Sequence, residues 1–97
     1  MGKYVYAYTG GGQPESEEEG KQVMAAWEAW LGGLGAAIVD QGAPFGASAG
    51  AKGGGTSGLT GYSIITASSL DDAVALTGGC PIFASGGGVE VYEAMEM

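Results

Sequence analysis

The chain has 97 residues, 21 of them glycine, and 45% of its positions are apolar. That is enough for one modest core, and it excludes both a charged disordered tail and, since the glycines keep no three-residue period, a collagen-like helix. Three basic residues stand against 11 acidic ones, a net charge of -8 that a phosphate backbone repels, so nucleic acid is not an expected partner.

Residues 3–9, KYVYAYT, alternate with period 2 and predict a first strand. Tyr4, Tyr6 and Tyr8 point one way; Val5, Ala7 and Thr9 point the other. GGGQPE follows as a loop. Ser16 and Glu19 then match a capping box, with Glu15, Glu17 and Glu18 crowded where a helix start favours negative charge. Val23, Trp27, Trp30, Leu31 and Leu34 form one apolar stripe, and Gly32, Gly33 and Gly35 supply the stop.

AAIVDQ, residues 36–41, predicts a second strand ended by Gly42 and Pro44. Residues 46–61 are a glycine-rich connector. It lacks the G-x-x-x-x-G-K-[ST] spacing of a phosphate loop, so a hairpin loop is expected there. YSIITA, residues 62–67, predicts a third strand. Ser69 and Asp72 open a short second helix closed by Gly78 and Gly79, and GVEVYEA, residues 88–94, predicts the fourth strand.

The order β-α-β-β-α-β, with right-handed crossovers, makes a ferredoxin-like α+β fold. It has a four-stranded antiparallel sheet, both helices on one face and the first strand central. One domain over residues 1–97 is expected. No apolar run approaches the roughly 18 residues that cross a membrane. MGKYVYAYTGG carries no long apolar signal core, so the expectation is a cytoplasmic protein without a membrane partner.

Two short helices cover one face of such a sheet. With Val5, Ala7, Val89 and Val91 packed against Trp27 and Trp30, the residues Tyr4, Tyr6, Tyr8, Glu90 and Tyr92 fall on the uncovered face. An aromatic patch of that size asks for a cover. A second copy, sheet against sheet, is the simplest one, so a homodimer with a partly polar cavity between the sheets is expected.

Asp40 and Glu90 are the candidate acid–base groups of that cavity, since a carboxylate among tyrosines and far from a cation has its pKa raised by desolvation. Tyr6, Tyr8, Trp27, Ser48 and Tyr62 are the candidate ligand-binding residues. Cys80 is the single cysteine and there is no histidine. A Cys-His pair, a Ser-His-Asp triad and an internal disulfide are therefore impossible, and no metal site or cofactor is expected. Cys80 reads as a small buried apolar residue.

The segments KYVYAYTGG, then PESEEEGKQVMAAWEAWLGGLGAAIVDQGAPFGAS, then GYSIITASSLDDAVALTGGCPIFASGGGVEVYEAMEM resemble the YCII-related (YciI-like, DGPF-containing) family over nearly the whole chain. W-x-x-W-x-x-x-L-G followed by a strand and GAP, and the later GCPI…GGxVEV, are the most specific parts. The resemblance implies a ferredoxin-like fold and a dimeric α/β barrel. Two departures stand out: GGGTSGLTG replaces the D-G-P-F motif, and the histidine that such members carry on the first helix is missing. A histidine-dependent activity therefore does not carry over. The wider barrel group includes cofactor-independent monooxygenases, isomerases and binding proteins, so fold alone does not decide function. Two readings stand: a module that binds a small apolar or aromatic molecule without catalysis, and a cofactor-independent enzyme using a carboxylate.

Overall fold

In the computed structural model, which describes residues 2–11, 15–51 and 57–95, the period-2 segment forms strand β1, Gly2–Thr9. Helix α1, Glu17–Leu34, follows. Ser16 caps it from an extended backbone, its Oγ accepting from the Glu19 N–H at 3.1 Å. Gly35 ends it at φ 55°, its N–H bonding back to the Gly32 carbonyl. After a short 3₁₀ turn come β2, Ile38–Pro44, and β3, Leu59–Ala67. Helix α2, Leu70–Ala75, is capped by Ser69 in the same way as α1, and a 3₁₀ turn over Pro81–Phe83 leads to β4, Gly88–Ala94.

The strands pair antiparallel in the order β2-β3-β1-β4, with β1 inside the sheet. This is the ferredoxin-like α+β arrangement. The second and third strands differ from their predicted bounds. β2 starts later and runs through Gly42 to Pro44 because a bulge, rather than a break, absorbs the glycine: the β2–β3 register shifts between Asp40 and Ala43. Gly42 sits at φ 76°, and a Cβ there would lie 1.7 Å from the Tyr62 carbonyl oxygen. In the connector, residues 46–51 and 57–58 form no helix or strand; residues 52–56 lie outside the described residues.

The faces of the sheet are reversed from the expectation for β1. Tyr4, Tyr6 and Tyr8 are 3%, 0% and 5% exposed and lie under the helices. Directly opposed residues in an antiparallel pair share a face, and Tyr6 is opposite Val91 while Tyr8 is opposite Val89. The tyrosines therefore share the covered face with Val89 and Val91, not with Glu90 and Tyr92. The physical reason lies in space and polarity. Helix α1 carries alanine and glycine along much of its length, so long rings are needed to bridge helix and sheet. Each phenol tip also needs an acceptor when buried. Tyr6 donates to the Ala73 carbonyl at 2.5 Å, in the last turn of α2, where carbonyls lose their helical donors. Tyr8 donates to Ser63 Oγ at 2.7 Å. The core is completed by Ile65, Ala67, Ala73, Cys80 and Ile82, with Trp27, Trp30 and Leu34 packed on it.

The other face has two cross-strand rows. Glu90, Ala7, Tyr62 and Ala43 form one; Tyr92, Val5, Ile64 and Asp40 form the other. Small and branched apolar residues occupy the middle strands, and a carboxylate stands at each edge. The tyrosine-lined chamber between two sheets is accordingly replaced by an apolar open face. The tyrosines are hidden by this chain's own helices, not by a partner.

Candidate functional site: a hollow beneath the first helix

Helix α1 rests on the sheet through its two tryptophans. Trp30 stacks on Tyr6 with centroids 6.1 Å apart, and Trp27 meets Tyr8 edge-on at 5.0 Å. The two indoles pack edge-to-face at 5.7 Å. They act as a wedge. N-terminal to them, Gly20, Val23 and Met24 stand over the end of the sheet where β3 has Gly61 and Ser63 and β2 bulges at Gly42. A cavity of about 540 Å³ opens there, bounded also by the Gly10–Gly11 turn, Phe45 and Ile82. Its volume suits a molecule of one or two rings.

The wall is mostly apolar. Among the described lining residues the polar side chains are Tyr8, Gln41, Thr60, Tyr62, Ser63 and Ser85; none is a carboxylate or an amine. Tyr8, Ser63 and the backbone of Gln41 form a chain: the Tyr8 hydroxyl donates to Ser63 Oγ, and Ser63 Oγ donates to the Gln41 carbonyl, both at 2.7 Å. Burial pushes the Tyr8 phenol up to about 12. At neutral pH it is an uncharged hydroxyl and not a base.

Of the residues singled out from sequence, Tyr8 and Trp27 line this cavity, and Tyr62 borders it from the open-face side of β3, its ring stacked on Phe45 and its hydroxyl on Asp40. Tyr6 lies deeper, beneath α2, and its phenol is also pushed up to about 12 by burial. Ser48 is exposed in the irregular stretch after β2, apart from the lining. Asp40 and Glu90 are exposed on opposite edge strands, β2 and β4. Three strand spacings, about 14 Å, separate those strands. Asp40 caps the bulge, its Oδ1 accepting from the Gly42 N–H at 2.8 Å, while Tyr62 donates to its Oδ2 at 3.4 Å. Glu90 accepts from the Tyr92 hydroxyl on its own strand. Neither carboxylate borders the cavity, and neither shares a chamber with the β1 tyrosines. Cys80 is buried, and burial raises its thiol above the usual range. Among the described residues no group of His, Cys, Asp or Glu could hold a metal ion. No helix among them is long and apolar enough to cross a membrane.

Ser63, Gln41, Met24 and Phe45 escaped the sequence reading. Two signals were available for the first two. Ser63 is the lone hydroxyl on the otherwise apolar side of YSIITA, and D-Q-G is an Asx-turn pattern that aims the middle carbonyl inward.

No family model and no curated protein matches the chain. Among solved structures it is similar to 5-chloro-2-hydroxyhydroquinone dehydrochlorinase (TftG) from Burkholderia phenoliruptrix AC1100, in complex with 2,5-dihydroxybenzoquinone. The two are 25% identical with a TM-score of 0.60, over 100% of this chain and 96% of that chain. The likeness supports the ferredoxin-like fold and fits the dimeric α/β barrel superfamily that the sequence resembles.

Proposed function

We propose that this chain is a YCII-related protein that binds a small, flat, largely apolar molecule, of the size of a substituted benzene ring, in the hollow beneath α1, without catalysing a reaction on it. The observation that carries this reading is the chemistry of the wall: aromatic and aliphatic surface around a few neutral hydroxyls, with no group among the described lining residues that ionises near neutral pH. Such a wall can hold and orient a ring, but it has no base to take a proton. The similar dehydrochlorinase holds a ring of this size. Titration with single-ring aromatics, followed by chemical-shift changes of Trp27 and Met24, tests it. Saturable shifts that disappear in Trp27→Ala while the fold persists support it; no shift with any such compound at millimolar concentration refutes it.

A second reading, a cofactor-independent enzyme, is favoured by the activity of that similar protein. In this chain it would draw its carboxylate from Asp40, which stands outside the cavity and accepts from the Tyr62 hydroxyl. Turnover of a ring compound that is lost in Asp40→Asn would favour it over binding alone.

The open sheet face is proposed as the seat of a second copy. Its middle is Val5, Ala7, Tyr62 and Ile64, no helix crosses it, and the whole slab is 19 Å thick. Two such faces together would form the barrel implied by the family resemblance. Light scattering should give a dimer for the wild type and a monomer for Val5→Lys; a wild-type monomer refutes the pairing.

A further inference from the structure

We infer that the buried floor of the hollow, Tyr8 with Ser63 and the Gln41 carbonyl, accepts hydrogen bonds but cannot give them, and so selects ring compounds that carry a hydroxyl or amine donor. This rests on the binding reading above and adds its polarity.

The argument is a count of protons. A serine hydroxyl has one proton and a carbonyl oxygen has none. The bond between Ser63 Oγ and the Gln41 carbonyl, 2.7 Å long, must therefore use the serine proton. Ser63 then has only lone pairs to offer Tyr8, so the 2.7 Å bond between them must use the phenol proton. Both protons point inward, away from a guest. Tyr8, a residue only 5% exposed, is left with an unused lone pair on its hydroxyl oxygen, and it borders the cavity.

The bulge sets this direction. Asp40 Oδ1 holds the Gly42 N–H, and that turn aims the Gln41 carbonyl at Ser63. The other polar side chains of the wall differ. Gln41, Thr60 and Ser85 are exposed and can turn to suit either partner, while Tyr62 is half-buried and leans on Asp40. Discrimination belongs to the buried pair, because a buried acceptor left without a donor loses its hydration and gains nothing in return. A methyl ether or a bare ring leaves Tyr8 in that state; a phenol relieves it.

The test uses phenol, anisole and toluene, three rings of similar size that donate and accept, only accept, or do neither. Their dissociation constants are measured by NMR titration of the wild type, Tyr8→Phe and Ser63→Ala. In the wild type phenol should bind about three- to tenfold more tightly than the other two, the worth of one net hydrogen bond, and anisole should not exceed toluene. Tyr8→Phe, which keeps the ring in place, should erase the advantage of phenol. Ser63→Ala frees the Tyr8 proton, so anisole should then overtake toluene, a reversal that mere loosening of the fold would not produce. If anisole already exceeds toluene in the wild type, or phenol keeps its lead in Tyr8→Phe, the polarity inference is overturned while the pocket stands. If none of the three shifts any resonance of the hollow, the binding reading fails and takes this inference with it.

Discussion

The space between helices and sheet is filled at one end and empty at the other, although one sheet face underlies both. At the filled end, Tyr4, Tyr6 and Ile65 rise to meet α2 and the C-terminal half of α1, and Ala73 lets α2 settle onto the Tyr6 hydroxyl. At the empty end, the sheet contributes Gly61, Ser63 and the Gly42 bulge, and α1 contributes Gly20, Val23 and Met24. The volume missing from the sheet is not replaced by the helix, because Trp27 and Trp30 prop the helix at a fixed height. Close packing is what interiors do by default. A hollow kept open by two indoles is the feature that separates the empty end from the filled end.

The contrast should break most completely at Gly42. Alanine there combines a left-handed backbone with a Cβ 1.7 Å from the Tyr62 carbonyl oxygen. No side-chain rotation relieves a clash between two backbones. Strain and overpacking together predict a loss of about 3 kcal/mol or more. Urea denaturation of Gly42→Ala should show it as a large drop in midpoint, and near-native stability would mean that the bulge does not form as described.

The two buried phenols sharpen the contrast. Tyr6→Phe strands the Ala73 carbonyl at the filled end and should cost about 1–2 kcal/mol. Tyr8→Phe leaves Ser63 still bonded to Gln41 and should cost about half of that, since no buried group loses its last partner. Equal losses would indicate that the two ends are packed alike.

Both phenols also predict an alkaline limit. Burial lifts Tyr6 and Tyr8 from the ordinary value of 10 to about 12. Above pH 10 the unfolded chain releases these protons while the folded chain retains them, so deprotonation favours unfolding. Their contribution is fully present below pH 10 and is lost as pH rises toward 12. Tyrosinate absorbance and circular dichroism should therefore change together in that window for the wild type, and the coupling should weaken in Tyr6→Phe.

How far the sequence could be read follows from the same contrast. Period-2 and period-3.6 patterns with Ser16 and Ser69 as caps marked every helix and strand, because those signals are local. The face of β1 was not legible in this way. Both of its sides are apolar enough to be buried, and the choice turned on register: Tyr6 opposite Val91 rather than Glu90 or Tyr92. Register depends on the β1–β4 pairing across some eighty residues, which no local pattern records. Tyr8, Trp27 and Tyr62, singled out as conspicuous aromatics, all border the hollow. Ser63 and Gln41 left only the faint signals of a lone hydroxyl and a D-Q-G turn, since the hydrogen bond between them exists only once the bulge has formed. Asp40 stood out as an acid–base group of a cavity, whereas in the structure it holds the Gly42 turn and stays outside the hollow.

The smallest expected effect on stability comes from Met24, on the rim of the hollow. It is 67% exposed, so Met24→Ala removes little buried surface and should change stability by less than about 0.5 kcal/mol. Yet Met24 overhangs the cavity, and a flexible thioether is suited to closing over a ring. Truncation should therefore weaken binding of phenol, anisole and toluene by the same factor, because it removes apolar contact without touching the hydroxyl relay. A parallel loss across all three, at unchanged denaturation midpoint, would place Met24 in the roof of the site. A loss confined to phenol would mean that roof and floor are coupled, and the division of the hollow into an apolar lid and a polar base would have to be redrawn.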